Sequence, residues 1–450
     1  MEYAKGNTEN VDFDIVAALR LPQDDIELAR RLRLEPRPFI CNAEWSTTLA
    51  GEMLFKHLGS IYRPFAQSLT IIRSMVDHAI AYASTVYPTR DAFIRSVQGQ
   101  LPTVTDVAVR LVTSPPGCGK SADREAVRRL FANATPLRPS SFLPDFPFHP
   151  FALLKVTAHM KLCDVLNGVV ESVGQKADYK KAGPVDVKHA RTLLHQRGVC
   201  GVLADEMQFH TRSSQASART SGLLDMVCRL GHPLHFFANY SLGHRLKTRP
   251  PEETTRFLFH PHVLLPDLPN DPALIGLLED IQIVLGEVCT FKLRDSAGVI
   301  CAMTFGIKRL ILRLVRVTYE IAHRQCSLRS LPVRMTEQHL RDAYWSLEFQ
   351  EDRAIADNTR NAMLGLRAVK DDFRCPFELD QSADVRQRAL ADATRQIAID
   401  EAALSAARSA AQRDSDRKNK EPPDTPQQRP PGRPVRPPPR TPDDLRGSLF

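Results

Sequence analysis

Two periodicities alternate along the chain. Between 46 and 100 apolar positions recur every three or four residues. Met53, Leu54, Leu58, Ile61 and Tyr62 form one set, and Leu69, Ile72, Met75, Val76 and Ile80 another. This is the stripe of amphipathic helices, and Pro88 and Pro102 mark breaks. A shorter helical pattern lies around Ile26 to Leu34, within a charged, mixed first 45 residues. From about 103 the period changes. Val104, Val107, Val109, Leu111 and Val112 read as a short β-branched strand that runs straight into a glycine-containing turn at 114–119. A helix is expected next, with Ala126, Val127, Leu130 and Phe131 on one face. Beyond a Pro-rich loop at 135–150, Phe151 to Val156, Gly198 to Ala204 and Leu234 to Ala238 read as three further strands. Helices are expected over Cys163 to Val173 and around Leu223 to Leu230, and the polar, Lys-rich stretch 174–187 is expected as an exposed loop.

Strands alternating with helices predict an α/β fold with a mainly parallel sheet. The nearly unbroken apolar runs agree, because strands buried on both faces need not alternate. From about 300 the helical period returns. Ile307 to Arg324 reads as one long helix, and Thr336 can cap another that carries Glu337 in its first turn and turns Leu340, Ala343 and Tyr344 inward. Residues 379–412, rich in Ala, Arg and Asp, suit a solvated helix. After 413 the composition collapses to Pro, Arg, Asp and Gln, which cannot bury enough apolar surface to fold alone. The expected division is a helical N-terminal segment (1–102), an α/β core (103–265), a helical lid with C-terminal helices (266–375), a solvated helix (376–412) and a disordered Pro/Arg-rich tail (413–450). That tail reads either as a docking arm for a partner or DNA phosphate, or as a passive extension.

Composition narrows the class. The 450 residues carry a net charge of +8, which suits a nucleic-acid partner and equally a solvated surface with a basic tail. Nine cysteines without a C-x-x-C pair point to reduced thiols and a cytoplasmic protein. No signal-peptide pattern opens the sequence. No apolar run is long enough for a membrane span; the richest, Ile307 to Val317, is broken by Lys308, Arg309, Arg313 and Arg316.

The turn at 114–119 carries the first chemistry. Ser114-Pro115-Pro116-Gly117-Cys118-Gly119-Lys120-Ser121 matches the phosphate-binding loop G-x-x-x-x-G-K-[ST] except for Ser114 in place of the first glycine. Gly117 and Gly119 let backbone N–H groups curl toward phosphate oxygens. The following helix points its positive end at them. Lys120 can reach the β- and γ-phosphates of ATP and Ser121 can ligate Mg2+, while Cys118 reads only as a small residue tolerated in the loop. The strand Val199 to Ala204 ends in Asp205-Glu206, a pair suited to the Mg2+ shell (Asp205) and to a general base for water (Glu206). Asn239, at the end of the fourth strand, can orient the water or the γ-phosphate. In Gly306-Ile307-Lys308-Arg309, Arg309 can reach back to the γ-phosphate and sense it. Arg256 first, then Arg245 or Arg249, are candidates for an arginine finger on a neighbouring subunit. His260 and His262 show no metal-ligand pattern and read as loop residues.

This order of elements resembles an AAA+ ATPase, and more narrowly the TnsC/TniB-like transposition ATPases, over about residues 35–350. Four stretches carry the resemblance: Leu58-Gly59-Ser60-Ile61-Tyr62-Arg63-Pro64; residues 151–181; GVCGVLADEMQFH at 198–210; and GHPLHFFANYSL at 231–242. It maps Lys120, Ser121, Asp205, Glu206 and Asn239 onto the family's nucleotide site. Ala238-Asn239-Tyr240 departs from the family's usual small residue with Thr or Asn before a proline. The resemblance implies a homo-oligomer that binds ATP and Mg2+, assembles on double-stranded DNA, hydrolyses ATP and communicates with a transposase or target-selection protein. Other readings are a protein-remodelling or defence/signalling STAND-type ATPase, a helicase-loader-like ATPase, and a nucleotide switch that barely hydrolyses.

Overall fold

The computed structural model describes residues 14–42, 44–103, 107–139, 143–157, 159–207, 216–328, 331–365, 369–370, 372–379, 390, 392 and 395, with the backbone alone at 216–219. The chain divides into a unit of residues 1–398 and a second of 399–450. The expected tail at 413–450, Val104, and all of the expected solvated helix except 376–379, 390, 392 and 395 lie outside the described residues.

Five parallel strands form one sheet in the order β2-β3-β4-β1-β5, where β1 is Val109–Ser114, β2 Phe151–Lys155, β3 Gly201–Asp205, β4 Leu234–Asn239 and β5 His262–Val263. Four of the five were expected. β5 was not, since two residues pairing with Val112 and Thr113 leave no periodic signal. β3 begins three residues later than the apolar run suggested and extends through Asp205.

The continuous apolar runs serve two different cores. On one face Val112, Leu203 and Phe237 pack with α4 (Ala66–Val86), α5 (Arg90–Val97) and α6 (Lys120–Leu130), and with α1 (Ile15–Leu19) and α2 (Asp25–Leu32). On the other, Leu111, Val202, Ala204, Phe236 and Ala238 pack with α7 (Leu162–Glu171), α8 (Pro184–His195) and α9 (Ala216–Arg229). Successive residues of a strand point to opposite faces, so each buried strand must be apolar throughout.

α8 corrects the expected loop at 174–187. The helix starts at Pro184, with proline in its first turn and the Asp186 carboxylate accepting from the Gly183 amide at 2.9 Å. Upstream, Tyr179 is buried and its amide donates to Asn167 Oδ1 at 2.8 Å, so only part of the stretch is free loop.

Beyond β4 follow α10 (Tyr240–Lys247), α11 (Pro251–Phe257), α12 (Pro272–Leu285), α13 (Ala297–Thr304), α14 (Lys308–Ser327), α15 (Glu337–Trp345) and α16 (Gln350–Leu364). α12 to α16 build a third core with Ala50, Leu54 and Leu58 of α3 (Thr47–Leu58). α14 buries Leu310, Ile311, Leu314, Val315, Thr318 and Ala322, an apolar stripe at helical spacing. Thr336 caps α15 as expected, its hydroxyl accepting from the His339 amide. At the start of α14 the chain passes Asp267 at close range. Gly306 has φ +65°, and a Cβ there would lie 2.1 Å from the Asp267 carbonyl oxygen, so no other residue fits. The fold is therefore an α/β P-loop domain with a parallel sheet and a helical bundle after it. Among the described residues no helix is long and apolar enough to cross a membrane.

Candidate functional site

Parallel register brings the candidate residues together. Ser114 ends β1 beside Asn239, which ends β4, and Asp205 ends β3 on the other side of β4. All three therefore lie at the carboxyl edge of the sheet, where open α/β sheets form their crevice. A cleft of about 340 Å³ opens there, lined by the phosphate loop, Asp205, Glu206, Asn239 and the first turn of α14. Phe55, Ile61, Phe65, Leu277 and Leu312 give the same cleft apolar walls. A cleft that combines cations and backbone amides with apolar walls suits a nucleotide.

The loop is shaped by two residues in the left-handed region, Gly117 (φ +92°) and Gly119 (φ +106°). At Gly117 a Cβ would also press on Arg309 Cβ and Ile307 Cγ2, both 3.0 Å away. Ser114 is not among the positive-φ residues. As the last residue of β1 it needs no glycine, so the one departure from the motif has no conformational cost. Gly119 caps α6, whose first amides are left to bind an anion.

Lys120 is 8% exposed. Its ammonium donates to Ser114 Oγ at 2.6 Å, Asn239 Oδ1 at 3.0 Å and the Ser114 carbonyl at 3.3 Å. Ser114 Oγ in turn donates to the Pro115 carbonyl at 2.7 Å. The serine hydroxyl thus supplies an acceptor that a glycine lacks. Burial pulls the Lys120 pKa down to about 8, since the charged form is poorly solvated there. Burial also pushes the Cys118 thiol up to about 11, which keeps it protonated and unreactive.

Asp205 is 4% exposed. Its Oδ1 accepts from the Glu206 amide at 2.8 Å, and its Oδ2 lies 3.3 Å from Arg124 Nη1. Glu206 has φ +61°, a left-handed conformation that costs a non-glycine residue about 1 kcal/mol. The Asp205 side chain bonds the very amide that this conformation presents.

Arg309 lines the cleft, and its amide donates to the Gly117 carbonyl at 3.1 Å. Three residues that sequence reasoning passed over also belong here. Lys308 lines the cleft with its ammonium 3.4 Å from the Phe65 ring centroid. Asp123, buried one turn into α6, accepts from the Tyr62 hydroxyl at 2.9 Å, so the cleft-lining segment Ile61–Arg63 is tied to the phosphate-loop helix. Arg124 pairs Asp205. Only Lys308 had a local signal, as the cation next to Arg309.

The three arginine-finger candidates do not line the cleft. Arg249 pairs Glu253 at 2.9 Å and Arg256 pairs Asp225 at 3.2 Å. Arg245 is half-buried on α10. His262 belongs to β5, with Nε2 3.1 Å from Ser74 Oγ, and is not the loop residue expected.

No family model matches the chain, and no curated protein matches it. Among solved structures it is similar to the Aeropyrum pernix ORC1 protein in complex with DNA, at 20% identity over 62% of this chain and 65% of that one, with a TM-score of 0.37. It is also similar to the A. pernix ORC2 protein in its ADP form (14% identity, 62% and 72% of the two chains, TM-score 0.40). A third likeness is to Cdc6p from Pyrobaculum aerophilum (12% identity, 57% and 66%, TM-score 0.36). The chain spans just under two thirds of the length of the first of these.

Proposed function

We propose that the chain is an AAA+ ATPase that binds ATP with Mg2+ in the cleft at the carboxyl edge of its sheet. The observation that carries this reading is the convergence of Lys120, Asp205-Glu206 and Asn239, from the phosphate loop and two neighbouring strands, beneath the Arg309 end of α14. In this reading Lys120 leaves Ser114 and Asn239 to neutralise the β- and γ-phosphates. The amides of Gly117 to Ser121 cradle the phosphate oxygens. The apolar walls from Phe55, Ile61 and Leu277 take the base. Glu206 accepts the proton of a water that Asn239 orients, and Arg309 contacts the γ-phosphate. Residues 103–265 then form the nucleotide core and 266–375 the lid that closes on it.

The donors fit Mg2+. A buried carboxylate on Asp205 and the hydroxyl of Ser121 at the start of α6 are hard oxygen ligands, and both residues line the cleft. Among the described residues no group of three or more His, Cys, Asp or Glu could hold a metal alone. Such a site leaves most positions to phosphate oxygens and water, as Mg2+ prefers. When bound with the nucleotide, the ion supplies charge neutralisation to the phosphates.

Beyond the cleft we infer a homo-oligomer on double-stranded DNA, coupled to a transposase. Support comes from the sequence resemblance, the net charge of +8, and the exposed Lys176, Lys180, Lys181 and Lys188 between α7 and the middle of α8. The test is ATP turnover by the full chain, with and without duplex DNA. Turnover that Lys120→Ala and Glu206→Gln both abolish, and that duplex DNA raises, supports the whole reading. Turnover indifferent to DNA removes the DNA part, and nucleotide binding unchanged in Lys120→Ala removes the site.

A further inference from the structure

Arg124 is the fifth residue of α6 and lies one turn after Lys120, on the same side of the helix. Its Nη1 is 3.3 Å from Asp205 Oδ2, and its side chain is 16% exposed against 6% for Asp205. The other oxygen of Asp205 is taken by the Glu206 amide. Oδ2 is therefore the side of the carboxylate left for a cation, and Arg124 stands at it.

We propose that Arg124 is the resident counter-ion of Asp205. It neutralises the acid while the cleft is empty and is displaced from it when Mg2+ and nucleotide bind. The inference rests on the reading of Asp205 as the metal acid. Electrostatics makes such a partner necessary. A carboxylate this buried, at the end of an otherwise apolar strand, is strongly destabilised without an opposite charge nearby. Geometry makes the partner replaceable. The contact is a single loose approach, not the paired fork that arginine makes with a carboxylate when it is built to stay. The guanidinium Nε is buried without a hydrogen-bond partner, so Arg124 gives up little by moving. A guanidinium and a divalent ion repel at contact distance, so occupancy of Oδ2 by one excludes the other.

The consequence is a built-in competition that sets how much Mg2+ the site needs. Without Arg124, Mg2+ meets an unpaired acid and binds at lower concentration. Without both, nucleotide phosphates meet an unneutralised carboxylate and bind worse.

The test is a titration of Mg2+ at fixed concentration of a fluorescent ADP analogue, on the full chain. Arg124→Met keeps the apolar stem and removes the charge. It should lower the Mg2+ midpoint roughly three- to tenfold, and weaken analogue binding in EDTA. Arg124→Lys should stay near the wild-type midpoint. In an Asp205→Asn background, Arg124→Met should shift nothing further. An unchanged or raised midpoint in Arg124→Met overturns the proposal, as does a residual shift in the Asp205→Asn background. Should Arg124→Met not fold, the wild-type structure with Mg2+ and a non-hydrolysable ATP analogue decides. Arg124 should then lie beyond about 4 Å from Oδ2, and a retained pair overturns the displacement. Wild-type protein that binds no analogue at any Mg2+ concentration would instead remove the nucleotide site, and Arg124's role with it.

Discussion

The amide of Arg309 donates to the carbonyl of Gly117 at 3.1 Å, so α14, which lines the cleft with its first turn, begins on the phosphate loop itself. Loop and helix are joined by backbone, and in the proposed reading the Arg309 side chain contacts the γ-phosphate. Arg309→Ala should keep the folded structure and the thermal midpoint. It should weaken ATP roughly tenfold, the worth of one charge-assisted hydrogen bond to phosphate, and ADP much less. Competition binding with the two nucleotides measures the difference.

Lys120→Ala removes the ammonium that Ser114 and Asn239 hold. ATP affinity should fall by about 100-fold, equivalent to losing two charge-assisted hydrogen bonds. Calorimetric titration with ATP checks it, and full affinity in the variant would sink the site assignment.

The depressed pKa of Lys120 gives two pH effects of opposite sense. Phosphate favours the charged lysine, so nucleotide affinity should fall as pH rises through about 8. Stability of the ligand-free protein goes the other way. The unfolded chain binds the proton more tightly, so the penalty for burying a charged lysine is full below pH 8. It is relieved as pH rises toward the ordinary lysine value. Lys120→Met should flatten both profiles. Ser114→Ala removes an acceptor from the ammonium and should move the affinity midpoint to lower pH.

Glu206→Gln keeps the left-handed backbone and the bond from its amide to Asp205, and loses the basic oxygen. Turnover should drop about 10²- to 10⁴-fold with affinity nearly unchanged. Single-turnover phosphate release measures it, and wild-type turnover would exclude Glu206 as the base.

Acid should unfold the protein through histidines beneath the sheet. His232 is buried with its pKa pulled down to about 3 by desolvation, and burial also holds His195 and His235 far below the ordinary value. His195 Nδ1 is 2.6 Å from the Tyr87 hydroxyl, and His78 Nδ1 is 3.1 Å from His235 Nε2, so only one of those two facing nitrogens can carry a hydrogen. These groups bind protons only when unfolded, so stability is full above about pH 6.5 and falls below it, by up to about 1.4 kcal/mol per pH unit for each. Thermal melts from pH 7.5 to 5 should show it, and His232→Gln should lessen the slope.

What the sequence disclosed was what is local. The phosphate loop, Asp205-Glu206 and Asn239 each terminate a strong apolar run, and Thr336 is a cap that needs no partner element. Arg124 and the Tyr62–Asp123 bond were hidden, because each joins residues about 60 or more positions apart and depends on how α6 faces β3 and the segment before α4. α8 was missed despite a readable Gly183-Pro184-Val185-Asp186 start, since the lysines around it suggested loop. Arg256 looked free in the sequence because its acidic partner, Asp225, lies on α9, 31 positions back, whereas the Arg249–Glu253 pair spans only four residues and was readable. The serine at position 114 looked like a defect only while its backbone conformation was unknown.

The strand order has a consequence for biosynthesis. β1 is made first among the strands, yet its neighbours are β4, through Val109 with Leu234, and β5, through Val112 with His262. The phosphate loop therefore leaves the ribosome long before the strands that hold it in place, and the intervening chain must close a large loop before β1 is paired. A nascent chain halted before Asn239 carries the whole loop motif and cannot assemble the cleft. Even a chain complete through β5 lacks Leu277, Lys308, Arg309 and Leu312, so the full wall of the cleft exists only once α14 has been made.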